Sequence, residues 1–398
     1  MSDVYPLQRL SEIVQSIDYG LTASATKENT GNKFLRITDI QEGTVDWSDV
    51  PFCDAPEKKL RSAYLSDGDI VFARTGATTG KSFLVQEPPP GSVFASYLIR
   101  VRPYKFVDPH FLAQFFQSRS YWNQIQLKTQ GAAQGGVNAT SLGNLEIPLP
   151  PLDEQRRIAA ILDKANALRR KRKRIIELVR SIPQSLFLEM FGDPHANPGR
   201  WNRTSPLSDV ADIGSGITKG RKEPSTALRT VPYLAVANVQ DRALDLTNVK
   251  TIEASEEEID RLRLKSGDLV LTEGGDPDKL GRGTVWRDEL PEVIHQNHIF
   301  RVRVDTNELD PLYLNFLVGS GYGKKYFLRS AKQTTGIASI NKSQLSSFPV
   351  LLPPLEMQRK FSFEVERLAA SQQNADRAGE TMLELFTSLQ HRAFSGQL

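Results

Sequence analysis

The chain has 398 residues, 39% of them apolar and 24% charged, with a formal net charge of +3; this allows two or three domains and excludes a disordered polyelectrolyte and a membrane bundle. Its one cysteine, Cys53, cannot form an internal disulfide, and five scattered histidines make no Cys/His zinc cluster with it. No apolar run approaches the roughly 18 to 20 residues of a bilayer span, and the start, MSDVYPLQRLSEIV, lacks a basic segment followed by an apolar one, so the expected location is the cytoplasm.

In chain order, residues 1–150 hold short strand-like runs, among them Asp69 to Arg74 and Val93 to Arg102, separated by Gly and Pro turns. A helix-like stretch, His110 to Ile125, follows the pair Asp108-Pro109. Such a mixture predicts a compact mixed α/β (α+β) domain. Pro150-Pro151 ends it, and the pattern changes period. Residues 151–193 read as a spacer built on one helix from 153 to about 191, roughly 60 Å long. On a heptad, Ile158, Ala165, Arg172, Val179 and Leu186 fall at a, and Ile161, Leu168, Ile175 and Ile182 at d. Pro183 is expected to bend this helix near its end.

Residues 194–352 repeat the mixed pattern, with strand-like Asp268 to Gly274 and His298 to Val304 and a helix-like stretch from Leu312 to Leu328. Residues 353–398 then give a second helix, with Phe361, Leu368, Ala375, Met382 and Leu389 at a, and Glu364, Ser371, Ala378 and Leu385 at d; Val365 and Phe386 widen the stripe. Neither helix can bury its stripe alone, so the two are expected to pack as an antiparallel coiled-coil pair with one domain at either end, related by a pseudo-twofold axis.

The two halves are copies of one plan. Leu35 to Gln41 lies over Leu234 to Gln240, and Gly68-Asp69-Ile70-Val71 over Gly267-Asp268-Leu269-Val270, both at an offset of 199. The offset is 201 at Arg100-Val101-Arg102 and 202 at Asp108-Pro109, and it settles at 203 for Asn138, Pro150-Pro151-Leu152 and Gln155-Arg156. A slow drift of this kind reflects small loop insertions in a shared fold. With Gly68 to Arg74 and the repeated Pro-Pro-Leu-x-Glu/Met-Gln-Arg as its signatures, the chain resembles the specificity subunit of a type I restriction-modification enzyme over essentially its whole length.

That resemblance implies two target-recognition domains, each reading one half of a split double-stranded DNA site, and spacer helices that fix the gap. It implies methylation and restriction subunits as partners, two of each, and a chain that is itself non-catalytic. S-adenosylmethionine, ATP and magnesium are then expected in the partner subunits, with no cofactor or metal in this chain. Because the two heads differ in sequence, the target is expected to be asymmetric and bipartite, directing adenine methylation and cleavage.

Base edges call for Arg, Lys, Asn and Gln, and phosphates for Lys, Arg and backbone amides. Both heads carry such residues in two matched loops. The candidate DNA-binding residues are Arg74, Lys81, Lys128, Gln130, Gln134 and Asn138 in the first head, and Lys279, Arg282, Lys332, Gln333 and Asn341 in the second. Asn138 and Asn341 equally suit turn or cap positions, and Glu273 departs from its partner Arg74. Lys219 to Lys222 offers a phosphate clamp or a solvated loop, with Lys27 in the corresponding first-head loop. The basic run Arg169 to Arg174 suits phosphate contact, docking to a methylation subunit, or a solvated face. Arg172 also suits a register device on the seam.

Signals for catalysis fail on spacing. Gly76 to Ser82 has three residues between its glycines where a phosphate loop needs four, and it lies between strands. His295 and His298, three apart, point to opposite faces of a strand. Cys53 has no partner base and reads as a small buried hydrophobe. A DNA adenine methyltransferase, one alternative, needs an Asn/Asp-Pro-Pro-aromatic segment; Asp193-Pro194-His195 and Asn197-Pro198-Gly199 do not supply it. The other alternative is a coiled-coil scaffold that binds only proteins.

Overall fold

A computed structural model of the chain describes residues 5–398 apart from 42, 130–135, 197–200, 202, 221–226, 277–278 and 335–336. The chain divides into two compact units, Met1–Ile176 with Asp376–Leu398, and Glu177–Ala375. Each long helix therefore begins in one unit and ends in the other.

In the first unit, strand β1 (Leu7–Arg9) leads to β2 (Val14–Tyr19), β3 (Ile70–Ala73), β4 (Ser82–Leu84) and β5 (Leu98–Pro103). The last four form an antiparallel sheet in the order β2-β5-β3-β4. Helices α1 (Pro109–Phe115), α2 (Arg119–Thr129) and α3 (Ala139–Gly143) follow, and β6 (Glu146–Pro148) returns to pair with β1. Every side chain of β3 is buried, so its continuous apolar run reflects cover on both faces. The expected single helix over 110–125 is two, because Ser118 Oγ accepts the Tyr121 N–H and starts a new helix after a break.

Helix α4 (Leu152–Phe191) follows Pro150-Pro151. Its first residues Ile158 and Leu162 join a core with Phe111, Phe115 and the distant Phe386, Ala393 and Phe394. Phe394 meets Phe111 and Phe115 edge-on at 5.4 and 5.3 Å. Arg157 donates to the Leu398 carbonyl, and Gly379 abuts Ile176, so the stretches 152–176 and 376–394 run antiparallel in this unit.

The second unit repeats the plan with β7 (Thr204–Pro206), β8 (Ala211–Ser215), β9 (Leu269–Thr272), β10 (Gly283–Val285) and β11 (Ile299–Val304). The sheet order β8-β11-β9-β10 is that of the first head. Helices α5 (Pro311–Gly319) and α6 (Gly321–Ser330) precede β12 (Lys332–Thr334), β13 (Ile337–Ser339), α7 (Lys342–Ser346) and β14 (Pro349–Leu351), which pairs with β7. Here too one expected helix is two, broken where Ser320 caps α6 by accepting the Gly323 N–H. Helix α8 (Leu355–Phe394) follows. Its residues Phe361 and Val365 share a core with Phe187 and Phe191 from the end of α4.

The expected fold class, mixed helix and sheet in two repeated heads with two long antiparallel helices, is the one observed. The heptad seam needs correction. Ile158 and Phe361 are fully buried, and Val179, Leu368, Met382 and Leu389 are half-buried, but Leu168 at d is 59% exposed. Ile175, Ile182 and Leu385, also at d, face solvent. The buried positions are a and e, where Leu162, Pro183, Val365 and Phe386 lie. A strict 3.5-residue repeat drifts around a helix of 3.6 residues per turn, and small contacts such as Gly379 against Ile176 let the backbones approach on the e side.

Candidate nucleic-acid interface

The duplicated signatures first prove to be the frame of each head. Asp69, 1% exposed, accepts two hydrogen bonds of 2.7 Å from the Arg102 guanidinium and one from the Ser66 N–H. Asp268 does the same for Arg303 and the Lys265 N–H. The neighbouring Arg100 and Arg301, both buried, reach Asp18 and Asp212. The Asp69–Arg102 and Asp268–Arg303 pairs tie the sheet to the turn before β3 or β9, and their bidentate geometry makes them directional, whereas Arg100–Asp18 and Arg301–Asp212 join neighbouring strands of the sheet. Gln155 and Gln358 link head to spacer. Each accepts the N–H of the helix-capping aspartate, Asp108 or Asp310, at 2.8 and 2.9 Å, and donates to the Pro150 or Pro353 carbonyl at 2.8 Å.

On this frame the structure brings together the two matched loops of each head. In the first, the Val137 N–H donates to the Arg74 carbonyl at 3.0 Å, and the Arg74 N–H to Tyr97. In the second, the Ile340 N–H donates to Glu273 and the Glu273 N–H to His298, at 2.9 Å each. The far ends also match: Ala73 donates to the Lys81 carbonyl and Thr272 to that of Arg282. Gly80 and Gly281, at φ +81° and +74°, turn the chain beside these cations. A Cβ at Gly80 would lie 3.3 Å from Trp122 and Ile125, and one at Gly281 3.0 Å from Phe327, so both turns require glycine. The Tyr121 hydroxyl, donating to the Gly80 carbonyl, holds the first loop down.

The expected residues fall into several groups. Arg74 is exposed, its guanidinium 4.9 Å from the Tyr19 ring, and the Tyr19 hydroxyl accepts the Ala139 N–H. Lys81 is exposed beside it. Asn138 and Asn341 are helix caps, accepting the N–H of Ser141 at 2.8 Å and of Gln344 at 2.9 Å. Lys279 pairs with Asp276, and Arg282, half-buried, donates to Gln240 at 3.3 Å. With Lys324 they line one open cleft of about 320 Å³. Lys332 is exposed at the start of β12, opposite Ser339. Lys128 is the penultimate residue of α2, and Gln333 lies in β12, opposite Ala338. Gln130 and Gln134 lie outside the described residues, as do the last two of Lys219 to Lys222; Lys219 itself stands 5.0 Å over the Tyr233 ring.

Sequence reasoning missed Tyr19 and Tyr97, and it set His298 aside as a strand residue, whereas the structure places it in the turn before β11. Tyr19 and Tyr97 are 45% and 64% exposed beside Arg74, and His298 faces the Glu273 carboxylate at 2.6 Å. Nothing repeated marks them, because strand register sets Ser215 against Tyr19 and the shared amide contact sets His298 against Tyr97. The basic run is only partly solvated. Arg169 lies over the Phe386 ring at 4.9 Å and donates to Asn166, and burial, with Arg170 nearby, pulls its pKa below the ordinary value. Arg170, Lys171, Lys173 and Arg174 are exposed. Among the described residues no group of His, Cys, Asp and Glu is placed to hold a metal, and no helix is long and apolar enough to cross a membrane.

Two copies of one head, each offering a paired polar loop and each seated on long helices, define a duplicated recognition module. The family model for the type I restriction modification DNA specificity domain matches residues 7–179 and 198–368, and the chain belongs to that family. It is similar to the type I restriction enzyme StySPI specificity subunit of Salmonella potsdam, 25% identical over 92% of this chain and 82% of the relative. Its likeness to the EcoKI specificity subunit of Escherichia coli K12 is 26% over the same shares. In fold it matches a chain of a solved structure described as the basis of complex assembly and conformational transition of the type I R-M system. The TM-score is 0.59 at 20% identity, over 100% of this chain and 99% of that one. The S subunit from M. genitalium matches at 0.55 and 13%, over 99% and 97%.

Proposed function

We propose that this specificity subunit reads a split, asymmetric site on double-stranded DNA, one half-site per head, and directs adenine methylation and cleavage by methylation and restriction subunits. The observation that carries this reading is the repeated loop pair. The same two backbone hydrogen bonds hold it in both heads, while its side chains differ between Arg74 and Glu273. A shared scaffold with different side chains is what two different half-sites require. Helices α4 and α8, each of 40 residues and about 60 Å, supply the ruler, since half-sites one helical turn apart lie roughly 34 Å from each other. The exposed apolar residues Leu168, Ile175, Leu178 and Leu385 on these helices support docking of the methylation subunits there. Catalysis, S-adenosylmethionine, ATP and magnesium belong to the partners, two methylation and two restriction subunits.

The test is an exchange of residues 1–150 for the same segment of another family member, keeping Phe111 and Phe115 on Phe394, followed by methylome sequencing. One half-site changes and the other stays. A continuous motif, or a motif left whole by the exchange, overturns the reading.

A further inference from the structure

We infer that the residue at the start of the first recognition loop reads one G·C base pair in each half-site, with opposite hydrogen-bonding polarity: Arg74 donates to guanine O6 and N7, and Glu273 accepts from cytosine N4. The inference rests on the proposed function and adds the base chemistry to it.

Arg74 and Glu273 are the same structural position. Both follow the last residue of the buried central strand, both donate their N–H to the turn before β5 or β11, and both accept from the residue preceding the capping asparagine by one. Each side chain is held by an aromatic neighbour. The Tyr19 ring, fixed through its hydroxyl to Ala139, supports the Arg74 guanidinium. His298 Nδ1–H donates to Glu273 Oε2 at 2.6 Å, leaving Oε1 with no hydrogen bond among the described residues. The two heads thus use different neighbours, Tyr19 in one and His298 in the other, to preorganise one position. Held polar groups of this kind suit base edges, since an ordering cost already met in the free protein adds to discrimination.

Chemistry then assigns the bases. A guanidinium fork matches the two adjacent acceptors of guanine, which no other base presents in the major groove. A carboxylate in a DNA-facing loop is repelled by phosphates and has only acceptors, so it must meet a donor on a base edge. Cytosine N4 is such a donor. Adenine N6 has the N7 acceptor beside it, which a second carboxylate oxygen opposes.

The experiment uses the full chain assembled with its methylation subunits and duplexes carrying the split motif. Guanines of the first half-site are replaced singly by 7-deazaguanine, which lacks N7. Cytosines of the second are replaced by N4-methylcytosine, which keeps the pairing hydrogen and loses the one facing the major groove. One position in each half-site is expected to weaken wild-type binding about tenfold or more. Arg74→Gln removes the first penalty alone and Glu273→Gln the second alone; the penalty kept in the other half-site shows that each variant is folded and engaged. Penalties unchanged by the variants, a half-site without a G·C pair, or a variant that loses affinity equally for the motif and unrelated duplex each overturn the inference. A wild-type complex with no preference for a split motif overturns the proposed function instead.

Discussion

His295 stands where the first head has Phe94: each is the second residue of a two-residue strand paired parallel to a neighbour, Phe94 with Leu35 and His295 with Leu234. The imidazole is fully buried, with Nδ1–H donating to the Leu262 carbonyl. Burial, with Arg301 nearby, pushes its pKa from 6.5 down to about 4, against the smaller opposing pull of the hydrogen bond to the Leu262 carbonyl. Between those values the unfolded chain takes up a proton that the folded head refuses. The second head therefore keeps its full stability above pH 6.5 and loses it as pH falls toward 4, by roughly 3 kcal/mol. Replacing His295 with Phe, the residue of the first head, should flatten that slope in denaturant titrations between pH 7 and 4.5. A slope equal to that of the unchanged protein would contradict this account.

The buried carboxylates make a second residue-scale case. Asp69→Asn and Asp268→Asn each leave a guanidinium without its bidentate partner, so each should cost its own head about 2 kcal/mol, seen as a lowered unfolding midpoint. The sequence displayed both aspartates and both arginines as repeated signatures. It did not show that they bond to each other, because a pair 33 or 35 residues apart meets only once the sheet has formed.

At the scale of elements, Pro183 shows how a long helix tolerates a breaker. Proline has no N–H to offer the carbonyl four residues back, which here belongs to Val179. Gln372 Nε2 donates to that carbonyl at 3.1 Å, so a side chain of α8 replaces the lost bond, and α4 continues to Phe191. Gln372→Ala should destabilise the second unit by about 1 kcal/mol and speed hydrogen exchange around residues 179–187. Pro183→Ala should make the Gln372 substitution nearly harmless, since the helix then satisfies Val179 itself. Equal costs with and without the proline would refute the compensation. The helix periodicity was legible in the sequence to the a positions. The choice between d and e was not, because it depends on how closely two backbones approach at Gly379, and that is a property of the pair.

At the scale of the whole molecule, the chain alternates heads and helices so that each head packs on the start of the helix that follows it and on the end of the other. Phe361 and Phe187 show this in the second unit, and Ile158 and Phe394 in the first. Neither head completes its core from its own half of the sequence. Adding one heptad at matched positions in both helices lengthens each by about 10 Å. On the proposed function this widens the gap of the methylated motif and leaves both half-sites unchanged; an altered half-site would contradict the division of labour between heads and spacer.

The net charge of +3 gave no indication of any of this. Duplication, read as offsets drifting from 199 to 203, determined by sequence alone that there are two heads of one fold and two equal helices, because spacing of apolar residues and turn residues is local and survives divergence. The tertiary structure decided which face of each helix is buried, that Asn138 and Asn341 cap helices, and that Tyr19 and His298 support the loop residue in their respective heads. Those facts depend on contacts between residues far apart in sequence. Such contacts leave no periodic trace, and an aromatic ring that supports Arg74 in one head has no reason to recur in a head that carries Glu273 at the same position.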